Sequence, residues 1–231
     1  MTGHDERSVD RTDTRSAVEL IDRLMLCGAR SAARLTAFER DRILAGVYWR
    51  LYGDRIESTL VCSVCSRPFE LVFSLRDMVA RSTPVMTPAG DGTYSTSEGL
   101  HFRLPTGEDE LSVLDLPAEE AVRELLRRCV LAPATFDAAA VQDAMEKAAP
   151  ILDVDINTSC AECGAPVSVR FDLQSYLLQS IIQDRRRLWR ETHVLAAAYR
   201  WSLDEIMSLT RADRGSLVAM IEADAARRMV V

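Results

Sequence analysis

Two stretches of the chain read alike: CSVCSRPFELVFSL from Cys62 to Leu75, and CAECGAPVSVRFDL from Cys160 to Leu173. They align without a gap at an offset of 98 residues, with the cysteines, Pro68/Pro166, Phe73/Phe171 and Leu75/Leu173 in register. After each cysteine pair the apolar residues alternate, Phe69, Leu71, Phe73 in one copy and Val167, Val169, Phe171 in the other. That is the period of a half-buried strand. A strand-like run also precedes each pair: Val154 and Ile156 alternate with polar residues in DVDIN (153–157), and Arg55 to Val61 is a weaker version. Each copy therefore predicts strand, C-x-x-C turn, strand, then helix.

C-x-x-C sets two sulfurs on one tight knuckle, and two knuckles supply the four thiolates of a closed tetrahedral zinc site. Cys62, Cys65, Cys160 and Cys163 are the expected ligands of one structural Zn2+. Two separate, metal-free knuckles and a redox pair are the other readings. The redox reading lacks its context, because neither pair opens a helix in a βαβ unit. The 94 residues between Cys65 and Cys160 exceed ordinary ribbon spacing, so they must fold as an insertion that brings the knuckles together. Cys27 and Cys129 sit at apolar helical positions and read as buried core thiols.

Working outward, Ser16 to Gly28 is amphipathic and Ala37 to Tyr52 predicts a helix burying Ile43, Leu44, Val47, Tyr48 and Leu51. The insertion opens with a Thr/Ser/Gly/Pro-rich β stretch (82–105) and continues with two helices, 117–131 and 137–149. One long helix is expected over 173–199, then a capping box at Ser202/Glu205 and a last helix capped by Thr210 and holding Leu217, Met220 and Ile221. The fold class is α+β: a zinc-ribbon-like pair of β-hairpins with an inserted β/α segment and a helical C-terminal module. The segments are 1–53 (N-terminal helices), 54–81 (first knuckle hairpin), 82–150 (insertion), 151–173 (second knuckle hairpin) and 174–231 (helical module).

With 231 residues and 48% hydrophobic content, the chain is long enough to bury a full core. No run approaches the roughly 20 apolar residues of a membrane span, and the polar stretch 1–15 is unlike a secretory signal. A cytoplasmic protein is expected, with a frayed N-terminus that includes His4. The net charge of −7 argues against a nucleic-acid backbone as partner.

Signatures of catalysis do not emerge. G-x-S-x-G, Walker A and G-x-G-x-x-G are missing from the sequence, and His193 lacks H-E-x-x-H spacing. Glu108/Asp109/Glu110 reads as a solvated loop, and Glu119/Glu120 as the acidic first turn of a helix. Arg185, Arg186 and Arg187 form the basic run. Core packing is the expectation for Trp201.

The stretch ETHVLAAAYRWSLDEIMSLTRADR (191–214) resembles a signature of T4-type phage baseplate proteins, found in contractile tails and related injection systems. Its pattern falls here on His193, Leu195, Ala196, Tyr199, Trp201, Ser202, Glu205, Ile206, Leu209 and Arg214. FRLPTGED (102–109) and the CGAPV of the second knuckle are similar to the same group. The resemblance implies a non-enzymatic structural or assembly protein of a baseplate, with other baseplate or tail proteins as partners and with no nucleic acid, membrane or small-molecule substrate. Trp189, Arg186, Arg190 and Tyr199 are the expected partner-binding residues. The alternative is a zinc-ribbon protein of transcription or RNA handling, which would want a basic surface by the knuckles. The flanks there carry Glu57, Glu70, Asp153, Asp155 and Glu162 instead.

Overall fold

The computed structural model describes residues 1–25 and 31–229, so the expected core thiol Cys27 and the helix end at Gly28 lie outside the described residues. Helices α1 (Gly3–Ser8) and α2 (Thr14–Leu24) open the chain, and α3 (Ala37–Tyr52) runs into strands β1 (Arg55–Val61) and β2 (Pro68–Ser74) and helix α4 (Leu75–Arg81). The insertion holds β3 (Thr93–Ser95), β4 (His101–Arg103), α5 (Gly107–Val113), α6 (Ala118–Cys129), β5 (Val130–Ala132) and α7 (Ala138–Ala148). Strands β6 (Asp153–Ser159) and β7 (Pro166–Asp172) then lead to α8 (Leu173–Gln183), α9 (Arg185–Tyr199), α10 (Leu203–Ser208) and α11 (Arg211–Met229). The chain is mixed helix and strand, with small antiparallel sheets. It divides into two compact units: residues 30–176, and residues 1–29 together with 177–231.

In the first of these units the repeat is structural as well as sequential. Hairpins β1–β2 and β6–β7 have the same length and register, Arg55 opposite Ser74 and Asp153 opposite Asp172, each displaced by 98 residues. Both hairpins close onto their following helix in the same way. The Leu75 N–H donates to the Asp54 carbonyl at 3.0 Å, and the Leu173 N–H donates to the Leu152 carbonyl at 2.9 Å. Both are preceded by a helix, α3 or α7, so the duplicated piece is helix, hairpin, helix. Phe73 and Phe171, equivalent in the repeat, meet edge to face at 5.0 Å, a geometry aromatic quadrupoles favour. Tyr48 of α3 packs on Tyr176 at 5.9 Å.

The insertion departs from expectation in two places. The acidic run 108–110 is not a solvated loop but the first turn of α5, entered through a capping box at Thr106 and Asp109. Asp109 is buried and holds Arg103 through two bonds of 2.6 and 2.9 Å, which pulls its carboxyl down to about 2. Glu110 pairs at 2.5 Å with the buried Arg40. The helix expected to reach residue 131 ends at Cys129, because Val130–Ala132 pairs with β4 as the third strand of the β3–β4–β5 sheet. Tyr94 and Phe102 stack at 5.5 Å in its core beside Ala144 and Ala148 of α7.

In the other unit the N-terminus is not frayed. Thr2 and Asp5 form a capping box on α1, and Thr2 bridges Thr210. Gly3 lies against α10, where a Cβ would sit 2.8 Å from the Met207 sulfur. Glu6 accepts from Arg214 at 2.5 Å, and Arg214, fully buried, also donates to Glu191 at 3.1 Å and to the Leu209 carbonyl at 2.9 Å. Burial raises the Glu191 carboxyl, against the pull of Arg214. Removing one member of such a set leaves uncompensated buried charge, at a cost of about 3–5 kcal/mol. The long helix expected over 173–199 breaks at Asp184, whose carboxylate pairs with Arg211. Leu195, Ile206 and Val218 form a core cluster. Met220, expected on the last helix, is 61% exposed.

Asp41 of α3 accepts the Leu152 N–H at 2.6 Å and so ties α3 to the start of the second hairpin. Burial pushes its carboxyl up to about 6, helped by nearby Asp172 and opposed by the Leu152 amide, Arg40 and Arg42. Because the folded chain holds this proton more tightly than the unfolded chain, the group's contribution is fully present below about pH 4 and is lost as pH rises through about 6. Asp41→Asn keeps the acceptor and removes the buried anion. The variant should melt above the parent at pH 7, by on the order of 2 kcal/mol, and the gap should close toward pH 4. Thermal melts across that range check this, and a gap independent of pH would contradict it.

Candidate metal centre

Each knuckle is made by the same two backbone bonds. The Cys62 N–H donates to the Arg67 carbonyl (3.0 Å) and the Ser66 N–H to the Cys62 carbonyl (2.9 Å). In the second knuckle, Cys160 N–H donates to Ala165 (2.8 Å) and Gly164 N–H to Cys160 (2.9 Å). The turn needs a left-handed residue just after the second cysteine, and Ser66 and Gly164 supply it at φ 58° and 72°. Glycine adopts this conformation freely, whereas a residue with a Cβ is strained there.

These turns bring all four sulfurs within 4.8 Å of one another. Cys62 meets Cys163, and Cys65 meets Cys160, each at 3.8 Å. Both close pairs run between knuckles, so the cluster belongs to neither hairpin alone. Phe69 is buried beside Cys62 and Cys160, with Leu60, Ala165 and Val167 packed around them. Arg67 pairs with Glu162 across the two turns at 3.0 Å.

The cluster's electrostatics suit a cation. The Cys65 and Val64 amides, with neighbouring thiols, draw the Cys62 thiol down to about 6. At Cys65 the Arg67 amide acts the same way, but burial and the adjacent sulfurs outweigh it and push the thiol up to about 12. Four sulfurs this close do not all ionise by themselves; a metal ion among them removes the conflict. The four cysteines form a group able to hold one metal ion.

Other titratable groups lie elsewhere. Cys129 is buried, as expected, and burial lifts its thiol to about 11. His101 bonds Thr93 Oγ1 at 2.9 Å, His4 lies 3.3 Å from Asp204, and His193 is exposed on α9. Glu119 and Glu120 are exposed in the first turn of α6.

The expected partner-binding residues all fall on α9. Trp189 is 42% exposed with the Arg7 guanidinium 5.7 Å from its ring centre, Arg186 is exposed, and Arg190 pairs with Glu222 at 2.8 Å. Tyr199 stacks on Trp201 at 4.8 Å, and Trp201 is 37% exposed, not the core residue expected. Sequence reasoning missed the Arg214 set and the knuckle role of Ser66; the C-x-x-C-G spacing of the second copy was the available signal for the latter. Comparison with protein-family models, curated proteins and solved structures finds no match for this chain.

Ser66→Gly should stabilise the protein and Gly164→Ala should destabilise it, each by about 1 kcal/mol. A Cβ at Gly164 meets nothing within 4 Å, so backbone strain alone sets the sign. Denaturant unfolding of both variants measures it; equal stabilities would contradict the knuckle geometry.

Proposed function

We propose that the protein is a non-enzymatic structural or assembly component of the baseplate of a contractile phage tail or injection system, held in shape by a zinc-ribbon-like four-cysteine site. Zinc suits the donor set. A zinc–sulfur bond of about 2.3 Å gives a tetrahedral edge of about 3.8 Å, which matches the Cys62–Cys163 and Cys65–Cys160 separations of 3.8 Å. Four thiolates also close the coordination shell, which is the pattern of structural zinc; catalytic zinc keeps an open position.

The observation that carries the assembly reading is how the 191–214 motif divides in space. Ser202 and Glu205 cap α10, Leu195 and Ile206 are core, and Arg214 is the buried cation. These positions are accounted for by folding. His193 is exposed, and Tyr199 and Trp201, stacked on each other, still leave more than a third of their surface open. A contact with another protein is the use we assign to them, together with Arg186, Trp189 and Arg190.

Charge distribution speaks against the transcription or RNA-handling alternative. Residues 30–176, which carry the cysteines, hold 15 Lys and Arg against 22 Asp and Glu. Arg67 of the first knuckle is already paired with Glu162, and Arg170 farther along β7 with Asp153. Among the described residues, no helix is long and apolar enough to cross a membrane.

Affinity purification of the tagged full chain from its native cell, read by mass spectrometry, tests the reading. Tail-tube, hub or wedge proteins are the expected companions; RNA polymerase or ribosomal proteins would overturn it.

A further inference from the structure

We propose that the outer face of α9 docks an acidic segment of a protein partner, an inference that rests on the partner-binding role assigned above. Arg186, Trp189, Arg190, His193 and Ala197 are spaced to fall along one side of the helix, and all five are exposed; the exposed Arg200 follows them as the left-handed C-cap of α9. That row contains no carboxylate. Its cationic character is not a general excess, since the chain carries a net charge of −7.

Folding has already sorted the arginine run. Arg185 reaches the Val9 carbonyl at 2.5 Å, Arg187 is exposed but paired with Glu191 at 3.3 Å, and Arg186 is exposed. Among the described residues, Glu222 is the carboxylate that reaches the row, through Arg190, and it is itself exposed. Arg7 adds a further guanidinium against Trp189. A half-open tryptophan among arginines is the composition of an interface anchor. A partner bringing carboxylates would pair Arg186, compete with Glu222 for Arg190, and cover the indole.

The full chain, labelled with 5-fluorotryptophan, provides the test. The fluorine signal of Trp189 is assigned by its loss in Trp189→Phe, which separates it from the other two tryptophans. The probe is an amphipathic peptide of glutamate and leucine, with a lysine-for-glutamate counterpart and a thymidine oligonucleotide as comparisons. The expected result is a saturable shift of the Trp189 signal with the glutamate peptide alone, about tenfold weaker at high salt. Reversing Arg186→Glu and Arg190→Glu should abolish it without changing metal content or melting temperature. An unmoved signal would overturn the proposal. So would an equal response to the oligonucleotide, which marks a nucleic-acid face, or a drift with protein concentration alone, which marks a second copy. A silent titration with tail proteins still recovered from the cell would retire this surface and leave the assembly role standing.

Discussion

Four sulfurs from two turns 98 residues apart in sequence meet within 4.8 Å, and that meeting joins the two hairpins of residues 30–176. Cys62 meets Cys163 and Cys65 meets Cys160, one cysteine from each hairpin, so the cluster exists only when both copies are folded and apposed. The Phe73–Phe171 contact and the bond from Leu152 to Asp41 serve the same apposition. Bridging the copies with a long insertion costs little extra entropy, because loop closure grows only with the logarithm of length. A long insertion between the halves of one site is therefore physically tolerable.

The second unit solves a different problem, that of holding the two ends of the chain together. Apolar contacts alone would leave the register of α1 against α9–α11 loosely set. Arg214 sets it, because each of its three nitrogens has an acceptor in place: Glu6 from α1, Glu191 from α9 and the Leu209 carbonyl. Gly3 permits the approach by leaving room for Met207. The motif that suggests a baseplate role thus contains a structural half and an outward-facing half, and only the second is left for partners.

The hairpins were legible because their signal is local and repeated: alternation, C-x-x-C and a shared offset name the same boundaries twice. Helix α3 was legible from its apolar face; the capping box at Thr36 and Glu39 also marks its start. What escaped depends on partners remote in sequence. Glu6 and Arg214 look like surface charges until they are brought together across 208 positions. Asp109 looked solvated for the same reason, although the T-x-x-D spacing at Thr106 was a visible start signal for α5. Val130–Ala132 continues a helical pattern and becomes a strand only because β4 offers it an edge. Trp201 was read as core by its size, yet the left-handed turn at Arg200 (φ 58°) is followed by an exposed stack with Tyr199.

One zinc shared between the duplicated knuckles is what we propose holds the two hairpins together. X-ray absorption at the zinc edge, on full-length protein purified without chelator and with its metal counted, tests it most directly. The expected result is one zinc per chain in a shell of four sulfurs at about 2.3 Å. A protein free of metal, or zinc bound through nitrogen or oxygen, would contradict it.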